Sequence, residues 1–241
     1  MPSETQDPRE ERTTPSASRP PRRIAAAIFD FDETIIDLEP QHTGAYEALC
    51  RALGSEYDEM PESFRTGSGR RIIDDIREMR AYFHWAQREE EIFVLRQRIF
   101  DRICADSDLD AMDGVVDTIR ALQQRAIPLA ITSSSVRSSI ETILIRLGIR
   151  DVFSLIVDGS EVVHGKPDPE AYLVTARKLG VPPAECIVFE DSNVGVVAAK
   201  RAGTYCVAVR NPRAQTRQDL SAADVIVDSM REVDLTALFG R

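Results

Sequence analysis

Cysteine is scarce and shows no pairing pattern. Cys50, Cys104, Cys186 and Cys206 are far apart, with no Cys-x-x-Cys and no histidine at zinc-ligand spacing. That excludes a zinc finger and a disulfide framework, and the four read as reduced core thiols of a cytoplasmic protein. No apolar run approaches the roughly 20 residues of a membrane-spanning helix, and the N-terminus has no apolar signal core. Residues 1–23 are rich in Pro, Ser and charge of both signs and read as a disordered leader. Lysine is nearly missing: Lys166, Lys178 and Lys200 are the only ones. None falls between Leu38 and Asp110, so that stretch has no amine with which to form a Schiff base. Positive charge is short overall, with 30 Lys+Arg against 40 Asp+Glu and a net charge of -10. An acidic chain is poorly suited to holding nucleic acid through its phosphates. Any site for a phosphoryl group must gather positive charge locally, from a metal, from particular Lys or Arg residues, or from helix N-termini.

What is present, over 241 residues of which 43% are hydrophobic, is an ordinary globular composition. The continuously apolar run over residues 24–29 predicts a buried parallel strand. Helices are expected over 41–53, 70–83 and 88–104, with no strand signal among them. From Asp113 the pattern alternates. Helices are expected over 113–125 with Asp113 as N-cap, 135–147, 168–179 and 193–202; Gly148, Gly180 and Gly203 close the last three. Strands are expected over 127–132, 152–157, 186–189, 205–209 and 225–227. This alternation predicts an α/β fold, a doubly wound parallel sheet whose ligand sits beyond the carboxyl ends of its strands. The core is expected over 24–37 and 111–241, with an all-helical cap inserted over 38–110.

Four chemical groups fall at those strand ends. Asp30 and Asp32 follow the first strand, Ser133 the second, Lys166 lies in the loop His164-Gly165-Lys166-Pro167-Asp168-Pro169, and Glu190 and Asp191 follow Ile187-Val188-Phe189. Carboxylates at two strand ends repel unless a hard cation joins them, and Asp30 with Asp191, a backbone carbonyl and waters would suit Mg²⁺. Lys166 would supply fixed positive charge, Ser133 and backbone amides would donate to phosphoryl oxygens, and Asp32 would protonate a leaving oxygen and then deprotonate water. Each group alone has an ordinary reading: an Asp after a strand commonly caps or turns the chain, and one of Ser133, Ser134 and Ser135 would cap the next helix. Their ordered arrival at one edge of one sheet is what favours catalysis.

With Asp30-x-Asp32-x-Thr34, Ser133, Lys166 in Gly-Lys-Pro-x-Pro-Glu, and Glu190-Asp191-Ser192 followed by Gly195, Ala198, Ala199 and Gly203, the chain resembles the haloacid dehalogenase superfamily, in the branch with a helical cap after the first strand. The resemblance runs from about Ile24 to Val227. It implies Asp30 as nucleophile forming an aspartyl-phosphate and Asp32 as general acid and base. It further implies Asp30, the carbonyl of Asp32, Asp191 and Glu190 around Mg²⁺, and Ser133, Ser134 and Lys166 around the phosphoryl group. Glu33 stands where the family usually has Gly, and is expected to face solvent. His42 falls where some relatives place a histidine near the general acid.

Asp32 argues against dehalogenation, since a leaving halide needs no proton, and the lysine gap argues against phosphonate cleavage. A sugar phosphomutase resembling β-phosphoglucomutase is the main alternative, supported by Thr66-Gly67-Ser68-Gly69-Arg70, where Arg70 would clamp a distal phosphate. The cap position where the mutase carries a Lys aligns near Glu89. A catalytically inactive binding protein is the remote alternative. The expected partner is a small phosphorylated metabolite, with no nucleic acid and no membrane. Its leaving group would be read by His42, Arg65, Arg70 or the Tyr82-Phe83-His84-Trp85 cluster, unless those aromatics only pack the cap.

Overall fold

The computed structural model describes residues 20–21, 23–65, 69–212 and 218–239. Most of the expected leader, and Thr66-Gly67-Ser68 of the Arg70 motif, lie outside the described residues. The strands are β1 (Ala26–Phe29), β2 (Leu129–Thr132), β3 (Phe153–Val157), β4 (Cys186–Glu190), β5 (Tyr205–Val209) and β6 (Val225–Val227). They form one sheet in the order β3-β2-β1-β4-β5-β6, every pair parallel. The chain walks outward from β1 to β3 and then returns to the other side of β1, so the topological switch point adjoins β1, where α/β sheets place ligands.

The helices are α1 (Glu39–Ala52), α2 (Glu62–Arg65), α3 (Ile72–Tyr82), α4 (Glu89–Asp106), α5 (Val115–Gln124), α6 (Arg137–Arg146), α7 (Glu170–Leu179), α8 (Asn193–Arg201) and α9 (Leu235–Phe239). Helices cover both faces of the sheet, which is why its central strands read as apolar runs, while the edge strand β3 carries an exposed Ser154. Ala27, Phe29, Ile187, Phe189 and Val207 enter one core cluster, while their neighbours Ala26, Ile28, Cys186, Val188 and Cys206 enter another. This is the period-2 alternation of a strand with two buried faces. The four cysteines are buried free thiols.

Helices α1 to α4 build a third cluster of their own, around Tyr46, Leu49, Tyr57, Phe64, Ile76, Met79 and Trp85. Phe83 stacks on Trp85 at 5.2 Å and the Trp85 indole donates to Ser55 Oγ at 2.9 Å. Trp85 thus packs the helical region, and His84 is exposed. These helices reach the sheet through specific contacts. Ser134 Oγ donates to the Gly69 carbonyl at 2.9 Å, Arg71 Nη1 to the Val162 carbonyl at 3.0 Å, and Gln97 Nε2 to Ser139 Oγ at 2.6 Å.

Two capping expectations fail. The N-cap of α5 is Gly114, at φ 76°, and Asp113 instead bonds Ser229 Oγ and Arg231 Nε. A Cβ on Gly114 would lie 2.6 Å from the Arg231 backbone nitrogen, so close packing selects glycine there. The N-cap of α6 is Val136, because the three serines before it are occupied elsewhere.

Candidate active site

Asp30 follows β1 directly, and its amide donates to the Phe189 carbonyl of β4 at 2.9 Å. That ladder bond carries the Asp30 side chain to the edge where β4 delivers Glu190 and Asp191. Asp30, Glu190 and Asp191 are all buried, with one carboxyl oxygen from each lying within 4.8 Å of the others. Lys166 Nζ lies 2.5 Å from both Asp30 Oδ1 and Glu190 Oε1. Glu190 is saturated: Oε1 also accepts from Tyr172 Oη at 2.8 Å, and Oε2 from the amides of Asp191 and Ser192 and from Ser192 Oγ. Ser192 caps α8 by accepting from the Gly195 amide at 3.1 Å.

These contacts decide the charges. Burial raises the Asp30 pKa well above the usual carboxylate range; Lys166 opposes this while Glu190 and Asp32 add to it. Asp191 is raised by burial and then by Glu190 and Asp30, although Thr34 Oγ1 donates to its Oδ1 at 3.1 Å. In Glu190 the burial effect is outweighed by Lys166 and the surrounding donors, and its pKa is lowered. Burial would lower Lys166, but Asp30 and Glu190 hold it above its ordinary value. Repelling hard oxygen donors at one buried point fit a hard divalent cation, with Asp30 and Asp191 the natural ligands because the Glu190 oxygens are already engaged.

Asp32 points elsewhere. Its Oδ1 accepts from His42 Nε2 at 3.0 Å and Ser135 Oγ at 3.1 Å, and its Oδ2 accepts from Ser133 Oγ at 3.0 Å. Burial alone would raise Asp32, but His42 and the two hydroxyls reverse the sign and its pKa is lowered. Ser133 also accepts from the Ser135 amide at 2.9 Å. The serines therefore divide: Ser133 and Ser135 hold Asp32, and Ser134 reaches up to Gly69. None makes the side-chain cap of α6 expected from sequence.

Behind His42 stands a residue that the sequence reading missed. Arg96, on α4, is fully buried, and its Nη2 lies 2.5 Å from His42 Nδ1. Its guanidinium lies 4.7 Å from the ring centroids of both Tyr46 and Phe100, in reach for cation–π attraction. The signal was in the pattern. Ile92, Arg96, Phe100 and Cys104 recur every four residues and form the buried face of α4, so a charge stands inside an apolar stripe. Glu89 pairs with Arg77 at 3.4 Å.

Glu33 corrects an expectation. It does not face solvent: it is half-buried and lines the same cavity as Asp30, Asp32, His42 and Asp191. Burial and the nearby Asp191, Asp32 and Asp30 raise its pKa well above the usual range. The cavity encloses about 110 Å³ between the sheet edge and α1 to α3. Arg65, Arg70 and Asp75 line it as well. Arg70 is already engaged, with Nε 3.0 Å from Asp75 Oδ1 and Nη2 2.5 Å from Glu78 Oε2, while Arg65 lies 3.4 Å from Asp58.

Residues 24–203 match the model of the haloacid dehalogenase-like hydrolases, and the chain belongs to that family. It is an enzyme of the phosphatase type within it. Validoxylamine A 7'-phosphate phosphatase of Streptomyces hygroscopicus subsp. limoneus is 31% identical over 86% of this chain and 94% of its own. Hexitol phosphatase B of Escherichia coli (strain K12) is 30% identical over 91% of this chain and 99% of its own. Among solved structures, a mutant of CbbY from Rhodobacter sphaeroides in complex with xylulose-(1,5)bisphosphate superposes with a TM-score of 0.77. It is 26% identical over 90% of this chain and 99% of that one. No helix among the described residues is long and apolar enough to cross a membrane.

Proposed function

We propose that this chain is a Mg²⁺-dependent phosphatase of the cytoplasm that hydrolyses a small sugar or polyol monophosphate through an aspartyl-phosphate on Asp30. The observation that carries the reading is the meeting of Asp30, Lys166 and Asp191 at one buried point, with Asp32 held separately by His42, Ser133 and Ser135. The domain reading goes with it: a core of 24–37 and 111–241 under a cap of 38–110.

Asp30 and Asp191 would hold Mg²⁺, with the Asp32 carbonyl as a third contact; the ion would neutralise phosphoryl charge and orient the group for in-line attack. An Asp30 carboxylate oxygen attacks phosphorus and the ester P–O bond breaks. Asp32, once protonated, gives its proton to the leaving alkoxide. Water then attacks the phosphorus of the aspartyl-phosphate, Asp32 takes the water's proton, and inorganic phosphate leaves with Asp30 restored. Lys166 stays charged throughout and balances the phosphoryl oxygens. Glu190 orients Lys166.

The engagement of Arg70 and Arg65 by carboxylates favours hydrolysis of a monophosphate over the mutase alternative, because a mutase must hold a second phosphate. The test is phosphate release from a panel of sugar and polyol monophosphates and bisphosphates, with and without Mg²⁺. Metal-dependent release from monophosphates, lost in Asp30→Asn, is the expected result. Conversion of β-glucose 1-phosphate to glucose 6-phosphate without free phosphate would establish the mutase instead.

A further inference from the structure

Glu33 carries two local costs at once. Its φ is 58°, in the left-handed region where a Cβ is strained and glycine is not. Its Oε1 is buried and has no hydrogen-bond partner among the described residues, an arrangement that folded proteins rarely keep without a use. The turn does not need the side chain, because the Glu33 amide closes it by donating to the Ile36 carbonyl at 2.7 Å. Nor does Glu33 join Asp30, Glu190 and Asp191 in their cluster of converging oxygens, so it stands off the proposed metal position. Lys166 is held by Asp30 and Glu190, and Arg70 by Asp75 and Glu78. Both of these cations are thus engaged, and the cavity that Glu33 lines beside Asp30 and Asp32 is where a donor for it can enter.

We propose that Glu33 is a specificity-determining residue, whose Oε1 accepts a hydrogen bond from a hydroxyl of the leaving group near the phosphoester, so that the enzyme selects phosphate esters of hydroxyl-rich alcohols; this rests on the phosphatase reading above. A carboxyl oxygen accepts in either protonation state, so the role does not depend on which one Glu33 holds. An alkyl phosphate without hydroxyls would bury Oε1 unpaired and is rejected for that reason, which is the strong form of discrimination open to a polar site.

The test compares sorbitol 6-phosphate with n-hexyl phosphate, six-carbon primary esters that differ in their hydroxyls. The wild type should favour sorbitol 6-phosphate. In Glu33→Gly the ratio of kcat/KM values should fall roughly tenfold or more, while Tm rises by about 2–4 °C as the strain is relieved. Glu33→Gln, which keeps a carbonyl acceptor, should retain more of the ratio than Glu33→Gly. A ratio unmoved by Glu33→Gly, a fall in its Tm, or a wild type indifferent to the hydroxyls overturns the proposal. Failure of the wild type to release phosphate from any ester, para-nitrophenyl phosphate included, would instead overturn the phosphatase reading beneath it.

Discussion

Arg96 Nη2 lies 2.5 Å from His42 Nδ1, and that contact fixes which ring nitrogen faces Asp32. A guanidinium only donates, so Nδ1 is the acceptor and the proton sits on Nε2, from which it is donated to Asp32. Burial lowers the His42 pKa, and the Arg96 charge adds to this against the pull of Asp32, so the ring is neutral in this arrangement. Arg96 thus reaches Asp32 from α4 by way of a histidine on α1.

Arg96→Met should lower kcat roughly 10–100-fold, a fraction of what a positioned acid–base group contributes, with a smaller change in KM. The pH–rate profile should shift with it, because the His42 tautomer is no longer fixed. Arg96→Lys should recover part of kcat. The check is steady-state kinetics from pH 5 to 9, and an unchanged kcat and profile in the folded Met variant would contradict the positioning role.

Asp75 should make stability fall as pH rises. Burial lifts its pKa to about 6, although Tyr46, Arg70 and Arg96 all oppose this. Its side chain is only 14% exposed. The folded state then holds a proton that the unfolded chain releases near the ordinary aspartate value. Its favourable contribution is complete below the unfolded pKa and is lost as pH rises through the folded one. Asp75→Asn still offers Tyr46 Oη an acceptor and cannot ionise. Relative to wild type it should gain on the order of 2–3 kcal/mol between pH 4 and 7, read from urea unfolding. A difference that is flat with pH would contradict the assignment.

Gly195→Ala should be severely destabilising. A Cβ there would lie 1.7 Å from Glu190 Oε1. Glu190 would have to leave Lys166, Tyr172 and the Ser192 amide, exposing a buried charge pair to loss of its partner. The expected cost is roughly 3 kcal/mol or more, seen as a Tm several degrees lower together with loss of phosphate release. A variant with wild-type Tm would show that the approach of α8 to Glu190 is looser than described.

The sheet was legible because most of its strands are apolar runs closed by a charged or hydroxyl residue, with Ser154 of the edge strand β3 the interruption. The long helices were legible because glycines and prolines mark their ends, as Pro40 does in α1 and Gly180 does after α7. Asp30, Lys166 and Asp191 could be named because their order along the chain reports the order of strand ends. The partners of Asp32 were harder to read. Ser133 reads as a phosphate donor from its place after a strand, and nothing local announces that its Oγ also reaches Asp32, 101 positions away. Glu33 looks like a surface residue because a single charged letter in a turn says nothing of which way it points. Arg96 stood out only as a charge in the apolar stripe of α4, and its role was not legible because it depends on His42, which lies 54 positions away.

The most direct test of the whole account is chemical trapping of the nucleophile. Enzyme quenched during turnover with Mg²⁺ and substrate, then reduced with borohydride, should yield homoserine at position 30 in the peptide that carries the β1 edge, because borohydride reduces an acyl phosphate but not a free carboxylate. Asp30→Asn should give no such product. Homoserine at another aspartate, or full turnover with no trapped species in a variant that lacks the Asp30 carboxylate, would contradict Asp30 as the group that receives the phosphoryl.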